Sequence, residues 1–195
     1  MISPSIQQLL KKRFGPEISH DILKLSAELR GLQPSLFMDK GYEQLATGVA
    51  RHNGRIFEGL FLAALGREGI RHLILGAEYE CLPYSTIDIA IYSSTGGPFL
   101  ISLKSSLRER WKQSDLEFSI IKKLNPNAVC AIATLEDAGM PLRLQESDNL
   151  LGCDHVIDCR VPSLWNKFLK DLQRGKNIEC IKDTVLGLRN YSECC

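Results

Sequence analysis

TIDIAIYSSTGGPFLISLKSSLRERWKQSDLEFSIIKKL, residues 86–124, contains both ends of the argument about this chain: two alternating strands and a charged helix. The first strand is Ile87-Asp88-Ile89-Ala90-Ile91 and the second Phe99-Leu100-Ile101-Ser102-Leu103-Lys104. Thr95-Gly96-Gly97-Pro98 between them is a turn signal. Alternation sends Ile87, Ile89 and Ile91 to one face and Asp88 to the other. It likewise groups Phe99, Ile101 and Leu103, with Ser102 and Lys104 opposite them. A carboxylate on one strand and an ammonium on its hairpin neighbour suit metal-dependent phosphodiester hydrolysis. The acid holds a hard cation, and the lysine positions or activates the attacking water.

Those two groups meet if Asp88 lies directly opposite Lys104. That register centres the turn on Gly96 and uses an odd loop such as Thr95-Gly96-Gly97, a favoured length when it contains glycine. It also predicts Ala90 opposite Ser102.

Outward from the hairpin, the chain has 195 residues, enough for one domain with a substantial core. Apolar residues make up 44% and charged ones 24%, the balance of an ordinary globular protein. No apolar run approaches the roughly 18 residues of a membrane span, and residues 1–33 lack the apolar centre of a secretory leader. Seven cysteines, odd in number and irregular in spacing, predict reduced thiols and a cytoplasmic location. Cys153, His155 and Cys159 do not reproduce the spacing of a structural zinc site. A net charge of +1 excludes a large basic field. Locally, residues 104–123 carry six basic side chains against three acidic ones, and Lys11-Lys12-Arg13 is a second small cluster. Both are compatible with phosphate binding.

The N-terminal section, residues 1–50, predicts helices. Ser3 to Phe14 has Ile6, Leu9 and Leu10 on one side, and Gly15-Pro16 breaks it. Ser19 caps a second helix to Arg30, Pro34 and Gly41 bracket a loop, and Tyr42 to Ala50 forms another turn or two. Asn53 then caps a helix to about Arg67, whose Phe57, Leu60, Phe61 and Ala64 predict packing on a sheet. Ile70 to Glu78 is the first predicted strand. Ala128 to Leu135 is an apolar run expected to be covered on both faces, and Asp154 to Cys159 a further short strand. Pro162 opens a last helix burying Leu164, Trp165, Phe168, Leu169 and Leu172, with Gly175 ending it. In the tail Val185 and Leu186 are candidates for docking. The expectation is a single α/β domain: a helical N-terminal section and a core over residues 54–175. That core has a central mixed β-sheet flanked by helices, an antiparallel meander followed by crossover units.

Within the helix after the hairpin, Leu107, Trp111 and Phe118 fall within about 40° of one another and predict the buried face. Glu117 lies beside that seam, where a second carboxylate could reach a metal; it reads equally as a surface glutamate. Glu58, one residue off the apolar stripe of its helix, is either a solvated flank or a further acid at the site. Arg108-Glu109-Arg110 opens the later helix with two cations at the end where the dipole prefers acids. Arginine forks match guanine's major-groove edge, and an acid can accept from cytosine's amino group. Ser106 and Glu109 also form a capping box, which accounts for the glutamate without DNA.

Asp88, Ser102-x-Lys104, Arg108-Glu109-Arg110 and Glu117 together resemble the active-site strip of the PD-(D/E)XK nuclease superfamily. More narrowly, they are similar to the type II restriction endonucleases that recognise CCGG-, CCNGG- and CCWGG-type sites. In that branch a serine or similar residue replaces the acid two positions before the lysine, as Ser102 does here, and a glutamate on the following helix supplies the missing carboxylate, as Glu117 would. The R-E/D-R element reads G·C pairs, and Glu58 resembles an auxiliary acid. The detailed match spans about thirty residues. Ile87 departs from the proline of the motif's name, and the chain is short for the branch. The resemblance implies a restriction-endonuclease-like fold and Mg²⁺ held by Asp88 and Glu117. It implies Lys104 orienting the water, Arg108, Glu109 and Arg110 reading DNA, and a homodimer cutting both strands of a short palindromic G/C-containing site in double-stranded DNA. The alternatives are a structure-specific or repair nuclease of the same fold, and a non-catalytic DNA-binding defence protein with a decayed site.

Overall fold

A computed structural model describes residues 2–46, 50–70, 72–79, 82, 85–93, 97–107, 110–135, 139–146, 149–174, 188–189 and 192–194. Four helices come first. In α1 (Pro4–Phe14) the Ser3 hydroxyl caps the first turn by accepting from the Ile6 amide, and Ile6, Leu9, Leu10 and Phe14 are buried. Gly15, at φ +82°, ends it. The next helix, α2 (Pro16–Glu28), starts three residues before the expected cap, because Pro16 has a φ already suited to a first helical position. Ser19 sits inside and donates back to the Gly15 carbonyl at 2.6 Å.

The loop expected between Pro34 and Gly41 is instead a helix, α3 (Pro34–Leu45). Pro34 again opens a helix instead of a loop, and Gly41 is a packing residue. A Cβ there would come within 2.8 Å of Leu60 Cδ2 and 3.1 Å of Leu25 Cδ2. The predicted turns from Tyr42 correspond to the end of this helix, while residues 47–49 lie outside the described set. The long helix α4 (Ala50–Arg67) begins before Asn53 and buries Phe57, Leu60, Phe61 and Ala64 as expected, and Ile56, Leu62, Ala63 and Leu65 besides.

The sheet follows as β1 (Leu73–Tyr79), β2 (Thr86–Ser93) and β3 (Gly97–Lys104). After α5 (Arg110–Leu124) come β4 (Val129–Thr134), α6 (Gly139–Glu146), β5 (His155–Asp158) and α7 (Pro162–Arg174). Two short strands, β6 (Leu188–Arg189) and β7 (Ser192–Cys194), had no periodic signal in the sequence; both pair antiparallel with β1. The strand order is β5-β4-β3-β2-β1-β6. β1, β2 and β3 form an antiparallel meander, and β3, β4 and β5 run parallel, with α5 as the crossover from β3 to β4. The mixed α/β architecture with its helical N-terminal section is as predicted. Residues 175, 185 and 186, expected to end α7 and to dock, lie outside the described residues. No helix among the described residues is long and apolar enough to cross a membrane.

The hairpin register differs from the expectation. Ala90 pairs with Leu100, not Ser102, and Ser93 pairs with Gly97. Gly97 therefore belongs to the strand, not to the turn. Gly97 is at φ +79° and packs so closely on the turn before β4 that a Cβ would overlap the Asn127 carbonyl. Only glycine tolerates both conditions, which fixes where β3 begins.

Two apolar layers cover the sheet. Ile89, Ile91, Phe99, Ile101, Ala131 and Ile157 pack with residues of α1, α2, α3, α4 and α7. Ala90, Leu100, Cys130, Ile132 and Val156 pack with Leu107, Phe118 and Ile121 on the α5 side. Ile87, expected to face the same way as Ile89 and Ile91, joins the second layer with Ala77 and Tyr79. The alternation breaks beside Asp88. Gly76, at φ +63°, lies on β1 between the partners of Ile89 and Ile87, level with the acid.

A buried carboxylate locks α5 in place. Asp115, 3% exposed, accepts from the backbone amides of Leu151, Gly152 and Cys153 at 2.9–3.1 Å. Gly152 is pressed against the helix, where a Cβ would overlap the Ser119 amide and lie 2.5 Å from the Phe118 carbonyl carbon. Asp115→Ala should cost about 3 kcal/mol in urea unfolding, since it strands several buried N–H groups at about 1–3 kcal/mol each. A loss within 0.5 kcal/mol, the range of ordinary surface changes, would contradict this role.

Candidate active site

The hairpin brings its acid and its base together by a route different from direct opposition. Register places Ser102 level with Asp88, and Lys104 two residues farther along β3. Asp88 Oδ2 accepts from the Leu103 amide at 2.6 Å and from the Ser102 hydroxyl at 3.3 Å. Lys104 Nζ reaches back to within 4.0 Å of the same oxygen. Asp88 Oδ1 accepts no hydrogen bond from the described residues, and the side chain is 32% exposed. Ser102 in turn lies 3.0 Å, oxygen to oxygen, from the buried Ser114 hydroxyl of α5. The acid is therefore oriented by β3 and tied through one serine pair to the helix behind the sheet.

Burial raises the Asp88 pKa above the ordinary carboxylate value. The Lys104 charge, the Leu103 amide, the Ser102 hydroxyl and the Arg13 charge oppose the shift without cancelling it. Glu58 arrives from α4 with its side chain 14% exposed. Its pKa is raised first by burial and further by the neighbouring Asp88 charge, against Arg13 and Arg55. Arg13, from the last turn of α1, donates its Nε to Glu58 Oε1 at 3.3 Å. Arg55 Nη2 donates to the Arg13 and Phe14 carbonyls at 3.3 and 3.4 Å, which clasps the end of α1 to α4. Neither arginine stood out as a site residue in the sequence. Arg13 belonged only to a basic cluster, and its contact crosses 45 positions that no periodicity connects.

Glu117 lies on the α5 side, accepting from Ser85 Oγ at 2.7 Å and Gln113 Nε2 at 2.9 Å. Among the described residues these are its hydrogen-bond partners, and the acid on which the Asp88 charge acts is Glu58. Arg110 is exposed at the first position of α5. Together with Lys104, Ser105 and Gln113 it borders an open cavity of about 310 Å³, closed on the far side by Gly54 and Phe57 of α4. Arg108 and Glu109 lie outside the described residues. A larger cavity of about 570 Å³, lined by Arg30, Gln33 and Arg67 among others, shares no residue with this cleft. Of its two arginines, Arg67 serves the fold: Nη2 donates to the Arg30 and Leu32 carbonyls, and the guanidinium lies 4.5 Å over the Phe37 ring.

The cysteine-histidine stretch before and along β5 is structural. Burial pushes the Cys153 thiol up to about 12, and it donates to the His155 carbonyl at 2.9 Å. His155 Nε2 faces Asp171 at 3.4 Å. Among the described residues no three histidine, cysteine, aspartate or glutamate side chains gather as a ready-made metal cluster.

Asp88 and Glu58 are thus two partly desolvated carboxylates with Lys104 and Arg13 as their ion-pair partners, and Lys104 and Arg110 border the adjoining cavity, within a chain of net charge +1. Such a set can bind an anion and present an oxygen ligand to a hard cation. Comparison with protein-family models, curated proteins and solved structures finds no match to this chain.

Because the folded pKa of Glu58 is raised, its contribution to stability is present below the unfolded pKa and lost as pH rises through the folded one. Glu58→Gln should therefore melt higher than the wild type at pH 7, by roughly 2–4 °C for each kcal/mol of relieved desolvation. The gain should vanish near pH 4. Thermal scans without divalent cations check this, and a lower midpoint at pH 7 would refute it.

Proposed function

We propose that the chain is a Mg²⁺-dependent type II restriction endonuclease that cleaves double-stranded DNA at a short palindromic site containing G·C pairs. The observation that carries the reading is the Asp88 carboxylate. It is fixed through Oδ2 by the Leu103 amide and Ser102, has Lys104 Nζ 4.0 Å away, and keeps Oδ1 without a hydrogen bond among the described residues. The element order supports it: helix, three antiparallel strands, crossover helix and parallel strand, matching the resemblance carried by Asp88, Ser102, Lys104 and Glu117.

The donor set fits a hard, oxygen-seeking cation. Asp88 Oδ1 accepts no hydrogen bond from the described residues and its side chain is 32% exposed, and Mg²⁺ uses one or two carboxylates while keeping several waters. By the resemblance, Asp88 and Glu117 would hold it, Glu117 through Oε2 because its Oε1 accepts from Ser85 and Gln113, with the Leu103 carbonyl as a further oxygen. When bound it supplies charge neutralisation at the phosphoryl group and acidifies a coordinated water. Lys104 contributes a donor that orients the attacking water and offsets charge developing on the phosphate. Ser102 keeps Asp88 turned toward that position. Glu58 adds negative potential from the α4 side. Arg110 stands beside the same cleft, where a guanine edge in the major groove would be read. Double-strand cleavage at a palindrome requires two such sites related by a twofold axis, hence a homodimer.

Incubating plasmid DNA with the chain and Mg²⁺ tests the class. Discrete fragments are expected; a smear or nicks would point to a nuclease without site preference, and intact plasmid to a binding protein. Asp88→Ala and Lys104→Ala should each lower cleavage by at least about a thousandfold, of the order that electrostatic groups contribute in a catalytic site, with duplex binding retained. Cleavage at wild-type rate by either pure variant would end the assignment. Arg110→Ala should lose about 1–3 kcal/mol of discrimination at one G·C position, read by sequencing the cut ends. An unchanged site preference would remove Arg110 from the readout.

A further inference from the structure

Glu58 and Arg13 make a contact that the cleavage mechanism leaves unused, and its geometry is one-sided. A guanidinium offers five N–H donors in a rigid fork. Here Nε is engaged by Glu58 Oε1 at 3.3 Å, while the two Nη groups make no hydrogen bond to described residues and the side chain is 51% exposed. The acid that orients it is nearly buried, at 14%. The helix that carries it is held from behind, because Arg55 grips the Arg13 and Phe14 carbonyls of its last turn. A surface arginine is usually free to sample many rotamers. This one is braced at its inner edge and open at its outer edge.

We propose that Arg13 is a phosphate-binding residue of the DNA-contacting surface, taking a backbone phosphate beside the one cleaved. The proposal rests on the reading of the Asp88–Lys104 cleft as a nuclease site. Its chemistry is that of bidentate guanidinium–phosphate pairing, which gains when the fork is oriented before the anion arrives. The placement is set by the 3.3 Å contact of Arg13 Nε with Glu58 Oε1, and the Arg13 charge also reaches Asp88, so a phosphate held by its Nη groups would lie beside Glu58 on the side of the reacting position. α1 then has two roles, an apolar face of Ile6, Leu9, Leu10 and Phe14 in the core and a basic last turn on the substrate. Contacts of this kind set register along the duplex and carry no sequence information.

The test is binding of a fluorescent duplex containing G·C-rich sequence, measured by anisotropy at several salt concentrations without Mg²⁺. Arg13→Ala and Arg13→Gln are compared with the wild type; the glutamine keeps a donor for Glu58 and removes the charge. Both should flatten the dependence of log K on log salt by about 0.9, the release of one phosphate's counterions, and weaken binding alike on every sequence. Arg13→Lys should keep the slope. Lys24→Ala, whose charge faces Glu28 at 4.0 Å on α2, should also leave it unchanged. If both neutral variants keep the wild-type slope while cleavage falls, Arg13 acts only through Glu58 and the proposal is overturned, with the nuclease reading intact. If Lys24→Ala flattens the slope equally, the effect is not specific to Arg13 and the proposal fails. A wild-type chain that binds no duplex at any salt overturns both readings.

Discussion

The Leu103 amide donating to Asp88 is the contact on which the cleft depends. A strand amide normally pairs within the ladder; this one, near the end of β3, is given to a side chain across the hairpin. That exchange fixes the carboxylate where the antiparallel part of the sheet gives way to the parallel part, at the carboxyl end of β3. Openings at such a place in α/β sheets are where ligands bind, because adjacent connections leave in different directions. Lys104 follows as the next residue, so one backbone bond places both halves of the pair.

Burying acids beside one another carries a cost, and it is distributed in a legible way. Asp88 and Glu58 are each held above the ordinary carboxylate range by desolvation, and the cations around them only partly offset this. Structural carboxylates in the same chain are treated differently: Asp115 is fully enclosed and receives several backbone amides, and Asp158 is bonded to the Arg160 amide and guanidinium. The contrast separates acids that hold the fold from acids kept short of partners, and under-satisfied ionisable groups in a cleft mark sites of chemistry.

Much of the site was legible because it is local. Asp88, Ser102 and Lys104 sit on two strands joined by a short turn, and period-two alternation already sends them away from the Ile89–Ile101 layer. What alternation could not supply was the register, which was set by Gly97 meeting the Asn127 backbone, thirty positions along and invisible to any local pattern. The same limit hid the change of face at Ile87, since it needs Gly76 on the neighbouring strand. Helix α3 is hidden in the sequence because Pro34 and Gly41 carry the chemistry of breakers; only the surfaces of Leu25 and Leu60 reveal that glycine is there for contact. Arg13 belongs to this non-local class as well. Its partner lies in another helix, and a short run of basic residues gives no indication of which one is braced.

Helix α5 carries the guanidinium of residue 110, the hydroxyl of residue 114, the enclosed acid of residue 115 and the carboxylate of residue 117 on one rigid rod. With its middle pinned to the segment before β5, the rod cannot slide or roll piecemeal. Its exposed first turn is continuous with the groups four to seven residues on. The outward-facing first turn and the hydroxyl of residue 114, which reaches the carboxylate of residue 88 through Ser102, therefore belong to one continuous element.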